Sequence, residues 1–408
     1  MGRIQVRALI GVSAARRSFA SDGRIPGRPG LTDGDMVRYF LGGSMTTRRE
    51  MLRIATGAAA SVGIPSAVAA EKTQTLLILG RTGFIGPHLT REALRLNWKV
   101  THFNRGKTAT DSVPPGVESL IGDRKGQLDS LRGRKWDVVI DDTGFIPKYV
   151  KMSAELLAPN VGYCLYISSI SAYASFAAPN DEDSPTGKLS NPDVEEITND
   201  TYGPMKALCE QYSAEAFKGR MSIVRPGYIV GPLDRSDRFT YWPVRASKGG
   251  EMLAPGTPHD PVQVIDVRDL SAWMMKLAAT RTNGTFNADS PPRAFTMGEL
   301  INESIKASPK AGTRATWVSE DFLAAHWNPD DLDLPPWSPT KGDTAGASLI
   351  SVKRAQAAGL HLRPLRETVR DTLAWFHTLP ADRQAKLKAG LAADKETQTL
   401  AEWHKANG

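Results

Sequence analysis

The chain has little cysteine: Cys164 and Cys209 are the only two in 408 residues. Two thiols build no disulfide framework and match no zinc spacing. Cys164 reads as a buried strand residue and Cys209 as a helix residue, both reduced. The seven histidines (His88, His102, His259, His326, His361, His377, His404) are scattered without metal-ligand spacing, so no metal is expected. No run approaches the ~18 consecutive apolar residues of a spanning helix, which excludes a membrane span on this pattern. Spread-out positive charge is also lacking. The first 70 residues hold ten Arg or Lys against four acids and carry six of the seven net positive charges. The rest is nearly neutral and offers no basic footprint for a polyanion, so no nucleic-acid partner is expected. What is present, 41 % hydrophobic and 23 % charged residues, suits a globular enzyme with one large and one smaller domain.

Residues 45–70 read as an export signal. Thr46-Thr47-Arg48-Arg49-Glu50-Met51-Leu52 holds an arginine pair, Ile54 to Ile64 is weakly apolar, and Ala67-Val68-Ala69 is a small-residue cleavage pattern. The order resembles a twin-arginine signal, which places the protein in the periplasm, with the cytoplasm as the alternative. Residues 1–44, rich in Gly and Arg and without periodicity, read as disordered or as a mis-assigned start, translation then beginning at Met45. A rival reading makes Met1 to Ser21 an organellar transit peptide.

Thr75-Leu76-Leu77-Ile78-Leu79 is an apolar run of the kind buried in a parallel sheet. It enters Gly80-Arg81-Thr82-Gly83-Phe84-Ile85-Gly86, after which Leu89, Ala93 and Leu94 recur at helical spacing. Glycines there permit a tight strand-to-helix turn, close approach of backbone to a pyrophosphate, and close packing. The phosphates would rest on free N–H groups at the helix start. A second strand, Lys99 to Phe103, ends at Asn104-Arg105 where NAD-binding chains place an acid; a guanidinium there suits a 2′-phosphate, so NADP is expected over NAD. Asp123, after the third strand, would accept from the adenine amino group, and Thr143, past the fourth strand Trp136 to Asp141, would lie along the cofactor. With a fifth strand at Tyr163 to Ile167, alternating strands and helices predict an α/β fold with a doubly wound parallel sheet, the Rossmann fold.

Ser168-Ser169-Ile170-Ser171-Ala172-Tyr173 follows the fifth strand, and Tyr202 stands four residues before Lys206, on one helix face. A phenol with a pKa near ~10 is a poor base at neutral pH. A nearby ammonium and the cofactor's positive charge would lower that value. Ser169 would hold the substrate oxygen beside Tyr202.

Glycine loop, serine-bearing strand end and Tyr-x-x-x-Lys together resemble the extended short-chain dehydrogenase/reductase family of epimerases and dehydratases, over roughly residues 73–300. The resemblance implies Ser169, Tyr202 and Lys206 as the catalytic set, a small-molecule substrate and a possible homodimer through the helix bearing Tyr202 and its neighbour. It likens Val224 to Pro232 to the sixth strand and its exit turn, Val264 to Leu270 to the return to the nucleotide domain, and Phe286-Asn287-Ala288 to a late core strand. Val262-Gln263 stands where sugar-nucleotide relatives carry Arg-Asp, which points away from a nucleotide-diphosphate sugar. The expected function is an NADP-dependent oxidoreductase or epimerase-like enzyme acting on a sugar-like or other small hydroxy or carbonyl compound. The alternative is a non-catalytic or RNA-binding module on the same fold, as in some chloroplast relatives.

The expected domains are a dinucleotide-binding domain at 72–232 with a return segment at 263–288, and a smaller substrate lobe at 233–262 and 289–380. A C-terminal helix falls within 381–408, drawn from Lys386 to His404. Asp234 to Trp242 mixes aromatics with arginine, and Arg238 and Tyr241 are the candidate substrate contacts. From Ala315 the tryptophans Trp317, Trp327 and Trp337 among prolines read as irregular structure. Leu365, Val369, Leu373 and Phe376 read as one buried helix face behind Pro364.

Overall fold

The computed structural model describes residues 73–80, 83–107, 113–308, 312–328, 332 and 334–408. The twin-arginine segment, the stretch before it, and Arg81 and Thr82 of the glycine loop lie outside the described residues.

The first half alternates strands and helices: β1 (Thr75–Leu79), α1 (Gly86–Arg95), β2 (Lys99–Asn104), β3 (Glu118–Ile121), β4 (Trp136–Asp141), α2 (Pro147–Leu157), β5 (Val161–Ile167), α3 (Asn199–Phe217) and β6 (Met221–Pro226). β1 and β4 stand where the apolar runs predicted them, because a strand covered on both faces has no polar side to blur its signal. Beyond β6 come β7 (Tyr228–Val230), α4 (Tyr241–Ser247), β8 (Glu251–Pro255), β9 (Pro261–Val262), β10 (Val264–Asp266), α5 (Val267–Thr280) and β11 (Gly284–Ala288). The chain closes with β12 (Phe295–Thr296), α6 (Met297–Ala307), β13 (Arg314–Val318), α7 (Glu320–His326), α8 (Lys353–Ala357), α9 (Leu365–Phe376), α10 (Ala381–Gln384) and α11 (Ala393–Asn407).

Seven strands form one sheet in the order β11-β6-β5-β4-β1-β2-β3, every pairing parallel. Helices cover both faces. Leu89, Trp273, Met274 and Leu277 pack with Ile78, Ile140 and Leu165 on one side. Leu77, Val139, Cys164, Val150 and Phe217 form the core of the other. This is the doubly wound Rossmann architecture. Chain order reverses direction between β1 and β4, and ligands of such sheets bind in the crevice outside the carboxyl ends of the strands at that switch point.

The lobe has its own core of Trp242, Met252, Leu253, Leu300, Trp327 and Trp337. Its strands pair outside the main sheet, β13 with β8, β12 with β9 and β10 with β7. The segment from Ala315 is therefore not irregular throughout. Trp317 lies in β13, which runs parallel to β8 with Trp317 opposite Ala254, and α7 follows. The return strand also differs from expectation: β10 pairs with β7, and the main sheet is rejoined only at β11. The last helix begins at Ala393 rather than Lys386, after Gly390 at φ +100, where the chain passes so close to Tyr241 that a Cβ would stand 2.0 Å from its ring. α11 is an integral part of the lobe: its buried Glu396 accepts from Arg245 Nε at 2.6 Å and from the Leu253 amide at 3.0 Å.

Candidate functional site

The switch-point crevice is built by the two loops leaving β1 and β4. Gly80 ends β1 with φ +89, a region only glycine enters freely. A Cβ there would stand 2.1 Å from the Thr143 methyl carbon. Gly80 thus lets the glycine loop lie directly against Thr143, whose hydroxyl donates to the Leu79 carbonyl at 3.2 Å. Gly83, Phe84 and Ile85 lead into α1, whose first residue is Gly86 with Pro87 behind it and no side chain of its own capping the helix start. A helix start with no side-chain cap, entered through glycines, fits a phosphate-bearing ligand.

Beside them lies an acid the sequence reading passed over. Asp142 follows β4, its Oδ2 sealed from solvent and without a hydrogen-bond partner. Burial pushes its carboxyl well above the ordinary range and the neighbouring Asp141 charge adds to this, while Lys206 and the Gly86 amide oppose it. Burial thus favours the protonated form of an acid whose Oδ2 would stand 3.8 Å from a Cβ at Gly83. The folded chain binds a proton here that the unfolded chain releases, so stability falls as pH rises above the ordinary carboxylate pKa. Asp142→Asn is expected to match the native chain in acid and to melt at a higher temperature at mildly alkaline pH, checked by thermal melts in both.

The end of β2 is less open than expected. Asn104 spends its side chain on the turn, accepting from the Gly106 amide at 2.8 Å and donating to Ser119 Oγ at 3.3 Å. Arg105 is exposed just past the strand. Asp123 also serves its own turn, accepting from the Lys125 amide at 3.0 Å.

On the other side of β4 the second cluster gathers. Ser169 and Tyr202 are both buried, at 4 % and 7 % exposure. The serine follows β5 and its hydroxyl caps a short turn by accepting from the Ser171 amide. Tyr202 comes from the first turns of α3, a helix opened by a reciprocal cap between Thr198 and Thr201. Gly203 brings helix and serine loop into contact: a Cβ would stand 2.0 Å from the Ser171 carbonyl oxygen. Burial raises the Tyr202 phenol to about 12, and hydrogen bonding from Ser169 and the positive charge of Arg238 pull it back only in part.

Lys206 is placed otherwise than the sequence led us to expect. Its ammonium donates to the Gly144 carbonyl at 2.7 Å and the Ile167 carbonyl at 2.6 Å and lies 4.5 Å from the Tyr166 ring centroid. Burial lowers it to about 8. It ties the loops at the carboxyl ends of β4 and β5 together.

Behind the serines lies a buried network that sequence reading missed. Glu210, four residues beyond Lys206 on α3, accepts from Ser168 Oγ at 2.5 Å and takes Arg225 as a bidentate partner at 2.9 and 2.7 Å. Arg225 lies 5.0 Å from the Tyr173 ring, and Tyr173 donates to Asn287 Oδ1 at 2.7 Å. The repeat 202, 206, 210 was a signal in the sequence; the partner on β6 was not. Arg124 and Asp141 form a comparable pair at 2.6 and 2.7 Å.

Of the two candidate substrate contacts, Tyr241 packs within the lobe. It is 4 % exposed, stacked edge-on against Trp242 and covered by Gly390, so it belongs to the lobe core. Gln263 is likewise structural, donating to the Ser290 and Ile350 carbonyls at 2.6 and 2.9 Å and accepting from the Ile350 amide at 2.7 Å.

No protein-family description matches the chain. It is 26 % identical over 283 residues to the chloroplast stem-loop binding protein of 41 kDa b of Arabidopsis thaliana, covering 65 % of this chain and 69 % of that one. Among solved structures it resembles the Bordetella bronchiseptica enzyme WbmH in complex with NAD+, with a TM-score of 0.53 and 17 % identity over 75 % of this chain and 98 % of that one. The UDP-glucuronic acid 4-epimerase of Bacillus cereus in complex with NAD gives 0.53 and 16 % over 74 % and 99 %. At such identities the likeness establishes the fold alone, the doubly wound parallel sheet shared with these two enzymes. Among the described residues no helix is long and apolar enough to cross a membrane, and no cluster of potential metal ligands occurs.

Proposed function

We propose that this chain is an NADP-dependent oxidoreductase or epimerase-like enzyme of the short-chain dehydrogenase type, acting on a small hydroxy or carbonyl compound. The observation that carries the reading is a glycine-lined helix start and a buried Ser169–Tyr202 pair at the same carboxyl edge of one parallel sheet. Gly80, Gly83, Phe84, Ile85, Gly86 and Thr143 would hold the dinucleotide, and Arg105 its 2′-phosphate; Arg81 and Thr82 complete the proposed loop. When bound, the dinucleotide supplies the hydride acceptor or donor. Tyr202 moves the proton at the substrate oxygen, and Ser169 orients that oxygen. With its pKa raised to about 12, the phenol of the free chain is protonated at neutral pH and stands ready to donate. Lys206 acts indirectly, by fixing the β4 and β5 loops between which the phenol stands.

The test is a fluorescence titration with NADPH and NADH on the chain and on Arg105→Glu. NADPH is expected to bind the native chain at least about tenfold more tightly, and Arg105→Glu to abolish that preference by setting a carboxylate against the phosphate. Equal affinities in the native chain would refute the Arg105 assignment.

A second reading, a module that binds RNA, has one support: the Arabidopsis relative is named a stem-loop binding protein. The near-neutral charge of residues 71–408 speaks against it, and retention of a stem-loop RNA without dinucleotide binding would speak for it. We further propose export through residues 45–70, tested by the N-terminal residue of the natural protein, and a homodimer through α2 and α3, tested by its mass in solution.

A further inference from the structure

We propose that Asp142 governs dinucleotide binding at the glycine loop, admitting the phosphates while its carboxyl is protonated and opposing them once it ionises. The inference rests on the dinucleotide reading above and specifies how pH acts on that site. Asp142 stands at the switch point itself. Its amide donates to the Leu79 carbonyl at 3.1 Å, which fixes the first residue after β4 to the end of β1. Its Oδ2 is sealed from solvent and has no hydrogen-bond partner. That oxygen would stand 3.8 Å from a Cβ at Gly83, so the carboxyl lies against the glycine loop. The start of α1 completes the arrangement. Its first residues are Gly86 and Pro87, and no side chain caps it. A helix start favours a nearby anion through its free amides and its dipole. Two candidates meet here: Asp142, on which the Gly86 amide acts, and the phosphates of a dinucleotide. An ionised Asp142 is an internal anion that repels the second. A protonated one leaves the helix start to the ligand.

The groups around Asp142 set which form the free chain holds. From β4 comes Asp141, paired with Arg124 at 2.6 and 2.7 Å, whose charge still opposes a second one beside it. From α3 comes Lys206, whose ammonium favours the ionised form. That ammonium is spent on the Gly144 and Ile167 carbonyls and is itself lowered to about 8 by burial. From α1 comes the Gly86 amide, which also favours the ionised form. Burial outweighs both and keeps the proton on. Arg81, in the loop, lies outside the described residues, and a guanidinium holds its charge at every pH used below. Asp142 therefore ionises only above the ordinary carboxylate range. Affinity for a dinucleotide falls as pH rises through that ionisation, and a bound dinucleotide holds the proton in place.

The experiment titrates NADPH by fluorescence into the full chain and into Asp142→Asn, from about pH 6 to about pH 9.5. Asp142→Leu, also neutral and of similar volume, takes the place of Asp142→Asn if that chain fails to fold. Ionisation of the cofactor's own 2′-phosphate and of Lys206 is common to all three chains, so the ratio of native to variant affinity reports Asp142. Equal affinities are expected at the acid end. At the alkaline end the native chain should bind at least about tenfold more weakly than Asp142→Asn. Calorimetry in two buffers of different ionisation enthalpy should then show the native chain taking up more protons on binding than the variant. A ratio that stays level across the range overturns the proposal, as does an Asp142→Asn chain that binds more weakly throughout. No binding by any chain at any pH strikes the dinucleotide reading itself, so the two failures are told apart.

Discussion

Replacing Arg225 by methionine is expected to lower folding stability by about 3–5 kcal/mol, the usual effect of leaving one member of a buried ion pair alone. Arg225 and Glu210 are 7 % and 6 % exposed on their side chains, and Glu210 has no route to water once its partner is gone. Ser168 alone would remain to satisfy it. The double variant Arg225→Met with Glu210→Leu should recover most of the loss, since an apolar pair of similar volume needs no charge compensation. Urea melts of the three chains give the comparison. A single variant within about 1 kcal/mol of the native chain would mean that the pair is open to solvent. The site consequence follows from position: Glu210 clamps Ser168, and Ser168 is the residue before Ser169. The double variant, though stable, is therefore expected to turn over substrate more slowly than the native chain.

Tyr202→Phe carries the second large effect. It removes one oxygen from a buried ring and leaves the helix, the Gly203 contact and the glycine loop untouched. If Tyr202 moves the proton at the substrate oxygen, turnover falls by about 10²–10⁴-fold, while NADPH affinity and melting temperature stay close to those of the native chain. The readout is single-turnover change in NADPH absorbance with a compound the native chain accepts. The native rate in the direction of proton loss from the substrate should also climb as pH rises, because the phenolate form grows toward a pKa of about 12 in the free chain. A Tyr202→Phe chain as active as the native one would leave the buried pair without a chemical role.

The main sheet was legible because burial on both faces writes continuous apolar runs: Leu76 to Leu79 and Val138 to Ile140 need no partner to be recognised. The glycine loop and the 202–206 spacing were legible because turn and helix geometry are local. The lobe was not. Arg314-Ala315-Thr316-Trp317-Val318 becomes a strand only because β8 lies alongside, and Tyr241 is taken from the substrate side by Gly390, 149 residues further along the chain. The site's electrostatics were hidden for the same reason. Lys206 has the spacing of a partner to Tyr202, yet the carbonyls of Gly144 and Ile167 hold it.

The central claim, a dinucleotide held at the switch point, is tested most directly by purifying the chain without added nucleotide, denaturing it and identifying by mass spectrometry what it releases. The account predicts NADP or NADPH, with an empty preparation binding NADPH on titration. Release of NAD would keep the site and overturn the role given to Arg105. A chain that releases nothing and binds neither dinucleotide contradicts the account.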